Sequence, residues 1–337
     1  MKRSKNFETK IVPSFCLIIV LLLNLFIGTG CSNQENGIVI YTSMEEDRNQ
    51  ALKEEIRKKF PDLNIKVQYM STGNSAAKIK SEGKKIEADI IVDLETAHME
   101  NLKEHFADLS AFDTSQFLED VIVSNTYYPW TNYALSLFID KEYFEKKGWD
   151  PPKTYEDLLD VKYKNLIAMS DPKTSGTGYA FFLNVVNSMG EEKAIDYFKE
   201  LKGNLREFTS SGSGPTNLLK QGEIAIALGM ISQGVSAINE GYAFEIVSLE
   251  TGVPYNGTSI GIISGKENKE HVKEVFEWLL NDFNKLDKEN YLPSSLFKEQ
   301  TNKVKNYPTD LKYADMTGID DIKTKEHLNE IWSEING

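Results

Sequence analysis

The sequence predicts an α/β fold built in two halves, and three observations support this. Short apolar runs alternate with amphipathic segments of helical spacing along most of the 337 residues, which is typical of a parallel sheet with right-handed crossovers. The alternation occurs before residue 130 and again after residue 160, without a Pro- or Gly-rich linker between the two parts. The roughly 300 residues that follow the N-terminal segment suffice for two cores. We therefore expect two interwoven lobes with no internal repeat.

The elements of the first half follow from apolar periodicity. Leu52, Ile56 and Phe60 recur at helical spacing after the first apolar run. Ser43 and Glu46 stand three residues apart just before them, which fits a capping box at the start of this helix. Another helix is expected after residues 73–75. The runs predicted as strands are 37–41, 65–69, 88–92 and 133–140.

The second half repeats the pattern. Pro215 suits the first position of a helix that follows a Ser- and Gly-rich turn. Val275, Phe276 and Leu279 have the spacing of an inward helix face. Helices are predicted after the turns 174–178 and 209–215, over 194–201, and over 272–283. Strands are predicted at 166–169, 224–228, 244–249 and 259–263.

The N-terminus has the three parts of a secretory signal. A basic start is followed by residues 15–27, which are apolar except at Asn24, and by small residues 28–30 before Cys31. A segment of thirteen residues is too short to span a bilayer, which needs about 20. Small residues before a cysteine resemble a bacterial lipobox, in which the cysteine takes lipid, including palmitate, and becomes the mature N-terminus. The alternatives are a cleaved peptide with a chance cysteine and a signal anchor.

These features predict a signal peptide over 1–30, lipidation of Cys31, and a flexible polar tether over 31–36. Residues 1–30 carry a net charge of +3, so the remaining chain carries about −16, against −13 for the whole. Such a balance argues against nucleic acid and against electrostatic adhesion to anionic lipid. Cys16 lies in the apolar segment, so the mature chain has no second thiol for a disulfide.

Three small-residue turns that lead into helices are the main candidate sites. At a helix N-terminus several N–H groups lack partners and the helix dipole is positive, so an anionic oxygen can bind there. Ordinary capping is the alternative for each turn alone. Tyr255 follows a Pro-containing turn and could face a cleft. The candidate ligand residues are Thr42, Ser43, Ser75, Thr174, Ser175, Gly176, Thr177, Ser211, Gly212, Ser213, Gly214 and Tyr255.

Two motifs raise a serine hydrolase as a rival class. Residues 257–261 satisfy the nucleophile-elbow pattern around Ser259, but that elbow needs a helix next, and the following residues resemble a strand. Ser75 and Lys78 match a serine–lysine motif without its partner motifs. The four histidines lack zinc-ligand spacing, and no carboxylate pair stands out. We therefore expect no enzyme activity, no metal site and no cofactor.

At these residues the chain resembles the extracellular solute-binding proteins of ABC importers, in their ferric-iron, phosphonate and sugar-phosphate branch. The resemblance covers nearly all of the mature chain, and residues 171–179 (DPKTSGTGY) are its most specific part; residues 38–43, 88–92, 154–159 and 221–226 also fit. It implies a type II periplasmic-binding-protein fold with a hinge and an interlobe ligand cleft.

The resemblance also implies a monomer at the cell surface or in the periplasm that hands its solute to ABC permease and ATPase subunits. Lobe 1 is expected over 37–132 and 255–310 and lobe 2 over 133–254, with a C-terminal helical segment over 311–337 that packs on them. Family-style ligand positions map to Ser43, Ser75, 174–177 and 211–214.

The expected solute is a small anion of the phosphonate or sugar-phosphate type. Iron-binding relatives use an adjacent tyrosine pair, where this chain has 230–233 (MISQ), and often a histidine where it has Glu45. Ferric iron held by Tyr255 and Glu45 remains the alternative solute.

Overall fold

The structure, a computed structural model, describes residues 37–336. The predicted signal peptide, tether and lipidated Cys31 lie outside the described residues. Within the described part, no helix combines the length and the apolar composition needed to cross a membrane.

Strands and helices alternate as expected for an α/β chain. The strands are β1 Ile38–Thr42, β2 Ile65–Tyr69, β3 Ile90–Glu95, β4 Tyr128–Asp140, β5 Ile167–Ser170, β6 Leu205–Thr209, β7 Ile226–Met230, β8 Phe244–Val247 and β9 Tyr255–Ile262. The helices are α1 Glu46–Lys59, α2 Thr72–Glu82, α3 Thr96–Asn101, α4 Lys141–Lys147, α5 Gly176–Met189, α6 Glu191–Leu201, α7 Gly214–Lys220, α8 Ile231–Asn239, α9 Val272–Trp278, α10 Asn284–Asn290 and α11 Ile322–Asn336.

The described strands form one curled sheet in the order β2-β1-β3-β9-β4-β7-β5-β6, with β8 beside β4. Pairing is parallel within β2-β1-β3 and within β7-β5-β6. The central strands β9 and β4 run antiparallel to their neighbours. The expected all-parallel sheet is therefore found only at the two flanks.

Strand β4 joins the two parallel flanks. Its first half, from Tyr128 to Ala134, pairs with β9, and its second half, from Leu135 to Asp140, pairs with β7 and β8. A 13-residue strand shared in this way lets two groups of crossover helices pack on separate cores while the backbone stays continuous between them.

Two main groups of buried apolar side chains lie on either side of this junction. One surrounds β1, β3 and α9 and includes Trp130, whose ring stacks on Phe283 at 6.1 Å between ring centroids. The other surrounds β5, β7 and α5, where the rings of Phe182, Phe198 and Trp332 lie 5.1–5.3 Å apart. Trp332 belongs to α11, so the C-terminal helix packs on the second core.

The predicted capping box at α1 is wrong. Helix α1 begins at Glu46 with Glu45 as its N-cap, and no side chain caps it. The Ser43 hydroxyl donates instead to the main-chain carbonyl of Asp93. Ser43 thus ties the end of β1 to β3 rather than stabilising the helix.

Two further expectations are corrected. The helix expected over 272–283 is α-helical only in α9, since residues 279–283 form a π turn that leads into α10. Strand β6 was not expected, because Arg206 and Glu207 in its middle are exposed on the sheet edge and break the apolar signal.

Candidate ligand-binding site

A cavity of about 50 Å³ lies between the two parallel flanks of the sheet. One wall consists of the ends of β1, β2 and β3 together with the start of α2. The other wall consists of the turn into α5 and Gly212. Tyr133 of β4 and Thr258 of β9 complete the lining. The lining residues are Ser43, Glu45, Tyr69, Ser71, Thr72, Asp93, Tyr133, Thr174, Ser175, Gly176, Thr177, Gly212, Met230 and Thr258. At ~10–15 Å³ per water, a volume of about 50 Å³ fits a small solute.

The turn into α5 supplies hydrogen-bond donors. Helix α5 has 14 residues, no acidic residue in its first turn, and Ser175 as an N-cap whose side chain makes no capping hydrogen bond. Ser175 and Thr177 are both buried against the cavity. The Thr174 hydroxyl donates to the Ser210 carbonyl at 3.0 Å and so fixes the turn to the neighbouring loop. The first N–H groups of α5 and the positive end of its dipole therefore face the cavity with the two hydroxyls.

The start of α2 faces the cavity from the other wall. Ser71 is its N-cap, and its buried hydroxyl makes no hydrogen bond within residues 37–336. The Thr72 hydroxyl accepts from the Glu95 N–H at 3.2 Å, which joins α2 to β3. A buried hydroxyl without a partner is costly, so the Ser71 side chain is a further candidate donor to a bound solute.

Two carboxylates, Glu45 and Asp93, line the cavity beside α2. A single guanidinium serves both: Arg48 Nη1 lies 2.8 Å from Glu45 Oε2 and 3.4 Å from Asp93 Oδ2. Its Nε and Nη2 both lie 2.7 Å from Asp287, which also pairs with Lys288. Burial raises the pKa of Glu45 to about 7; Arg48 opposes this effect and Asp93 reinforces it.

Asp93 reaches the cavity because β3 bulges there. The pairing of β3 with β9 shifts register between Ile91 and Leu94, and Asp93 has a φ of 63°. Asp tolerates this left-handed conformation better than most residues, and bulges re-aim side chains at functional sites. The Thr258 hydroxyl donates to the redirected carboxylate.

Half of the predicted ligand residues line this cavity. Those that do are Ser43, Thr174, Ser175, Gly176, Thr177 and Gly212. Those that do not are Thr42, Ser75, Ser211, Ser213, Gly214 and Tyr255. The sequence analysis did not predict the lining residues Tyr69, Ser71, Thr72, Asp93, Tyr133, Met230 and Thr258, and it considered Glu45 only for iron.

Each residue outside the cavity has another local role. The Thr42 hydroxyl accepts from the Met44 N–H at 3.1 Å, and Ser75 is buried within α2. The hydroxyls of Ser211 and Ser213 lie 3.3 Å apart. The N–H of Gly214 donates to the Ser211 carbonyl at 3.2 Å.

Tyr255 lies beside a different, larger cavity. Its ring packs edge-on against Tyr313 at 5.5 Å, and together they border a cavity of about 780 Å³ that Glu45 does not line. The structure therefore does not bring Tyr255 together with Glu45 as the iron alternative requires. Within residues 37–336, no group of three or more His, Cys, Asp or Glu side chains is arranged to hold a metal ion.

The glycines of the site are required for close contact rather than for unusual backbone angles. A Cβ on Gly176 would lie 2.8 Å from Tyr133 Oη, and one on Gly212 would lie 2.7 Å from Thr177 Oγ1. Neither residue has a positive φ. Lack of space for a side chain, rather than backbone conformation, therefore explains glycine at both positions.

Neither hydrolase motif has the geometry that catalysis needs. Residues 257–261 lie inside β9, with no turn into a helix, and the Ser259 hydroxyl pairs with Thr96 at 2.9 Å. Ser75 is buried, and the Lys78 ammonium pairs with Glu82 at 2.6 Å.

Two cores that share central antiparallel strands, with a polar cavity between the flanks of the sheet, define a two-lobe solute-binding protein. Residues 43–285 match the family model described as bacterial extracellular solute-binding protein, and the chain belongs to that family. Members of this class are receptors rather than enzymes, and the chain is the extracellular or periplasmic solute-binding component of an ABC importer.

Two relatives are similar in sequence. An uncharacterized protein of Haemophilus influenzae is 23% identical over 274 residues, which cover 75% of each chain. A periplasmic protein of Salmonella typhimurium, for which 2-aminoethylphosphonate binding is proposed, is 25% identical over 232 residues. That alignment covers 64% of this chain and 65% of the relative.

Solved structures share the fold. The periplasmic binding protein AfuA of Actinobacillus pleuropneumoniae, solved with fructose-6-phosphate, has a TM-score of 0.76 at 21% identity, covering 89% of this chain and 98% of that one. Iron-bound HitA of Pseudomonas aeruginosa has a TM-score of 0.71 at 16% identity, covering 89% and 99%. These structural matches establish the two-lobe α/β fold. At such low sequence identity they do not identify the solute, which has to be inferred from the residues of the site.

Proposed function

We propose that this protein captures a small solute with a phosphonate or phosphate group by hinge closure and delivers it to a membrane permease. The observation that carries the proposal is the turn at Ser175 and Thr177, where the N-terminus of α5 faces a small polar cavity. The unpartnered Ser71 hydroxyl faces the same cavity from the opposite wall. An anionic oxygen placed there would satisfy donors from both walls.

The relatives support this choice of solute class. For the Salmonella typhimurium relative, binding of 2-aminoethylphosphonate is proposed, and AfuA was solved with the sugar phosphate fructose-6-phosphate. Ferric iron has weaker support, because Tyr255 and Glu45 lie at different cavities. For hinge closure, we propose 37–132 with 255–310 and 133–254 as the moving lobes, and 311–337 as a segment that packs on them.

Calorimetric titration with 2-aminoethylphosphonate and with fructose-6-phosphate, combined with small-angle scattering, tests this function. We expect one of these solutes to bind with a Kd in the micromolar range or below, roughly −8 kcal/mol, and to reduce the radius of gyration. If neither solute binds while ferric iron does, the organic-anion proposal is wrong. Binding without any change in the radius of gyration would contradict hinge closure.

Removal of one hydroxyl from the α5 turn should weaken binding without affecting the fold. For Ser175→Ala we expect a loss of about 1–2 kcal/mol in binding, the value of one charge-assisted hydrogen bond. Ser175 makes no side-chain cap, so the midpoint of thermal unfolding should stay unchanged. Ser188→Ala, near the other end of the same helix, is the matched control, because the Ser188 hydroxyl donates to the Val185 carbonyl and does not line the cavity. Unchanged affinity in Ser175→Ala would remove this turn from the site.

We also propose that Cys31 anchors the protein to the membrane through lipid. The Cys31→Ser variant is expected to lose metabolic labelling with palmitate, and to appear in the medium or in the periplasmic fraction or to remain as an unprocessed precursor. Labelling at the wild-type level would exclude Cys31 as the lipid site.

A further inference from the structure

The cavity lining combines a group of hydrogen-bond donors with a pair of carboxylates. The α5 turn and the start of α2 present N–H and hydroxyl groups, whereas Glu45 and Asp93 present carboxylates. None of the lining residues is Lys, Arg or His. A purely anionic solute would therefore bring one end close to two carboxylates, with no lining cation to offset the repulsion.

The charges behind these carboxylates do not balance. The buried cluster contains three carboxylates, Glu45, Asp93 and Asp287, but only two cations, Arg48 and Lys288. Both cations are directed mainly at Asp287, which is fully buried. When all three carboxylates are ionised, one negative charge is left over on the two that line the cavity. Burial raises the pKa of Glu45 to about 7, and a cation bound beside it would favour its ionised form.

The surroundings of this excess charge suit an ammonium group. Tyr69 and Tyr133 line the same cavity, and burial is the main cause that raises the pKa of both phenols. Nearby carboxylates add to this effect, chiefly Glu45 at Tyr69 and Glu95 at Tyr133, so both rings stay neutral. Aromatic faces and carboxylates are together the usual partners of an organic cation. The unpartnered Ser71 hydroxyl is a further independent sign of a ligand in this cavity.

We propose that Glu45 and Asp93 form a subsite for a protonated amine, so that the solute is a short zwitterion with an amine at one end and a phosphonate or phosphate at the other. This inference rests on the proposed function, because the anionic end occupies the α5 turn. The small volume of the cavity, about 50 Å³, favours a short linker between the two ends.

A matched pair of ligands tests the subsite. 2-Aminoethylphosphonate and propylphosphonate differ only in that a methyl group replaces the ammonium group. Calorimetry should show at least ~100-fold tighter binding of the amine, because a site built to pair with a charged group rejects an analogue that lacks it.

Three variants assign the effect to residues. Glu45→Gln and Asp93→Asn should each weaken 2-aminoethylphosphonate by at least ~10-fold, the effect of losing a charge-assisted pair, while propylphosphonate binds as before or more tightly. Glu46→Gln, an exposed neighbour with the same change of charge, is the control and should bind both ligands as the wild type does. Asparagine tolerates the φ of 63° at position 93, so that variant should stay folded. Unfolding midpoints of the ligand-free variants verify this.

The possible outcomes separate the two proposals. Equal affinity for the two phosphonates would overturn the amine subsite and leave the phosphonate-binding function intact. A preference for the amine that survives in Glu45→Gln and in Asp93→Asn would overturn the assignment to these residues. If neither phosphonate binds while fructose-6-phosphate does, the amine subsite is wrong and the proposed solute class stands; if none of the three binds, the proposed solute class is wrong as well.

Discussion

Replacement of Gly73 by alanine is expected to weaken solute binding about 10- to 100-fold while the ligand-free protein becomes slightly more stable. A Cβ at Gly73, in the first turn of α2, would lie 2.4 Å from the Lys173 carbonyl oxygen and 3.2 Å from Thr174 Cα. These are backbone atoms, so no side-chain rotation relieves the contact. Overpacking of this kind costs about 1–3 kcal/mol, and in the proposed lobe assignment only the closed state incurs that cost.

The same substitution should favour the fold itself. Alanine has a higher helix propensity than glycine and restricts the unfolded chain, which stabilises a helical site by about 0.4–1 kcal/mol where the backbone angles allow it. Gly73 lies in α2 and does not have a positive φ, so the angles are compatible. The two effects thus have opposite signs, which distinguishes a block on closure from general damage.

The measurements are calorimetric affinity and the unfolding midpoint of the ligand-free protein. Asn74→Ala, an exposed neighbour on the same helix, is the control and should change the affinity very little. Wild-type affinity in Gly73→Ala would mean that α2 and the 173–174 turn do not meet in the bound state. Loss of binding accompanied by a lower midpoint would indicate misfolding instead of blocked closure.

The turn before α5 was predictable from sequence because its function is local. Small residues leading into an apolar helix are visible along five consecutive positions, 174–178, and the structure places four of them at the cavity. The strand–helix alternation was predictable for the same reason, since it depends on short-range periodicity.

The carboxylate pair of Glu45 and Asp93 was not predictable as part of the site, because it is assembled from distant segments. Arg48 and Asp287 are separated by 239 residues, and their pairing decides how much charge is left on Glu45. Asp93 reaches the cavity through a bulge opposite β9, and a bulge leaves no clear trace in a strand sequence such as 90–94 (IIVDL). Thr42, in contrast, was predicted as a ligand residue but does not line the cavity. It lies at the expected strand end, but its hydroxyl accepts a hydrogen bond from the Met44 N–H.

A buried ion pair between Glu95 and Lys325 joins β3 to the C-terminal helix. The Lys325 ammonium lies 2.6 Å and 2.7 Å from the two carboxylate oxygens, and both side chains are almost completely buried. Asn256 of β9 donates to the same carboxylate at 2.7 Å. Lys325 also lies 3.9 Å from the centroid of the Tyr179 ring in α5. One pair therefore connects β3, β9, α5 and α11.

Lys325→Met is expected to lower the free energy of unfolding by about 3–5 kcal/mol, because it leaves Glu95 as a buried charge without its cation. The double variant Glu95→Gln/Lys325→Met should recover most of that loss, since a buried pair replaced as a whole is often nearly neutral. Urea unfolding at neutral pH measures all three proteins. Equal destabilisation in the single and double variants would show that Lys325 acts through packing rather than through its charge.

Acidification further distinguishes a role of Lys325 through its charge from a role through packing. Loss of the charge should reverse the direction in which folding shifts the pKa of Glu95. In the wild type, burial alone would raise the pKa of Glu95, but the charges of Lys325 and then His98 outweigh it, and the folded-state pKa lies below its usual 4.5. Its ionisation therefore contributes stability above pH 4.5 that is lost as the pH falls through the lower folded-state value. Without Lys325, burial should dominate and raise the pKa of Glu95 above 4.5, so the deficit of Lys325→Met relative to the wild type should shrink as the pH is lowered from 7 towards 5. The double variant, which has no carboxylate at position 95, should not show this recovery. A deficit that stays constant over that range would contradict the electrostatic origin of the pairing.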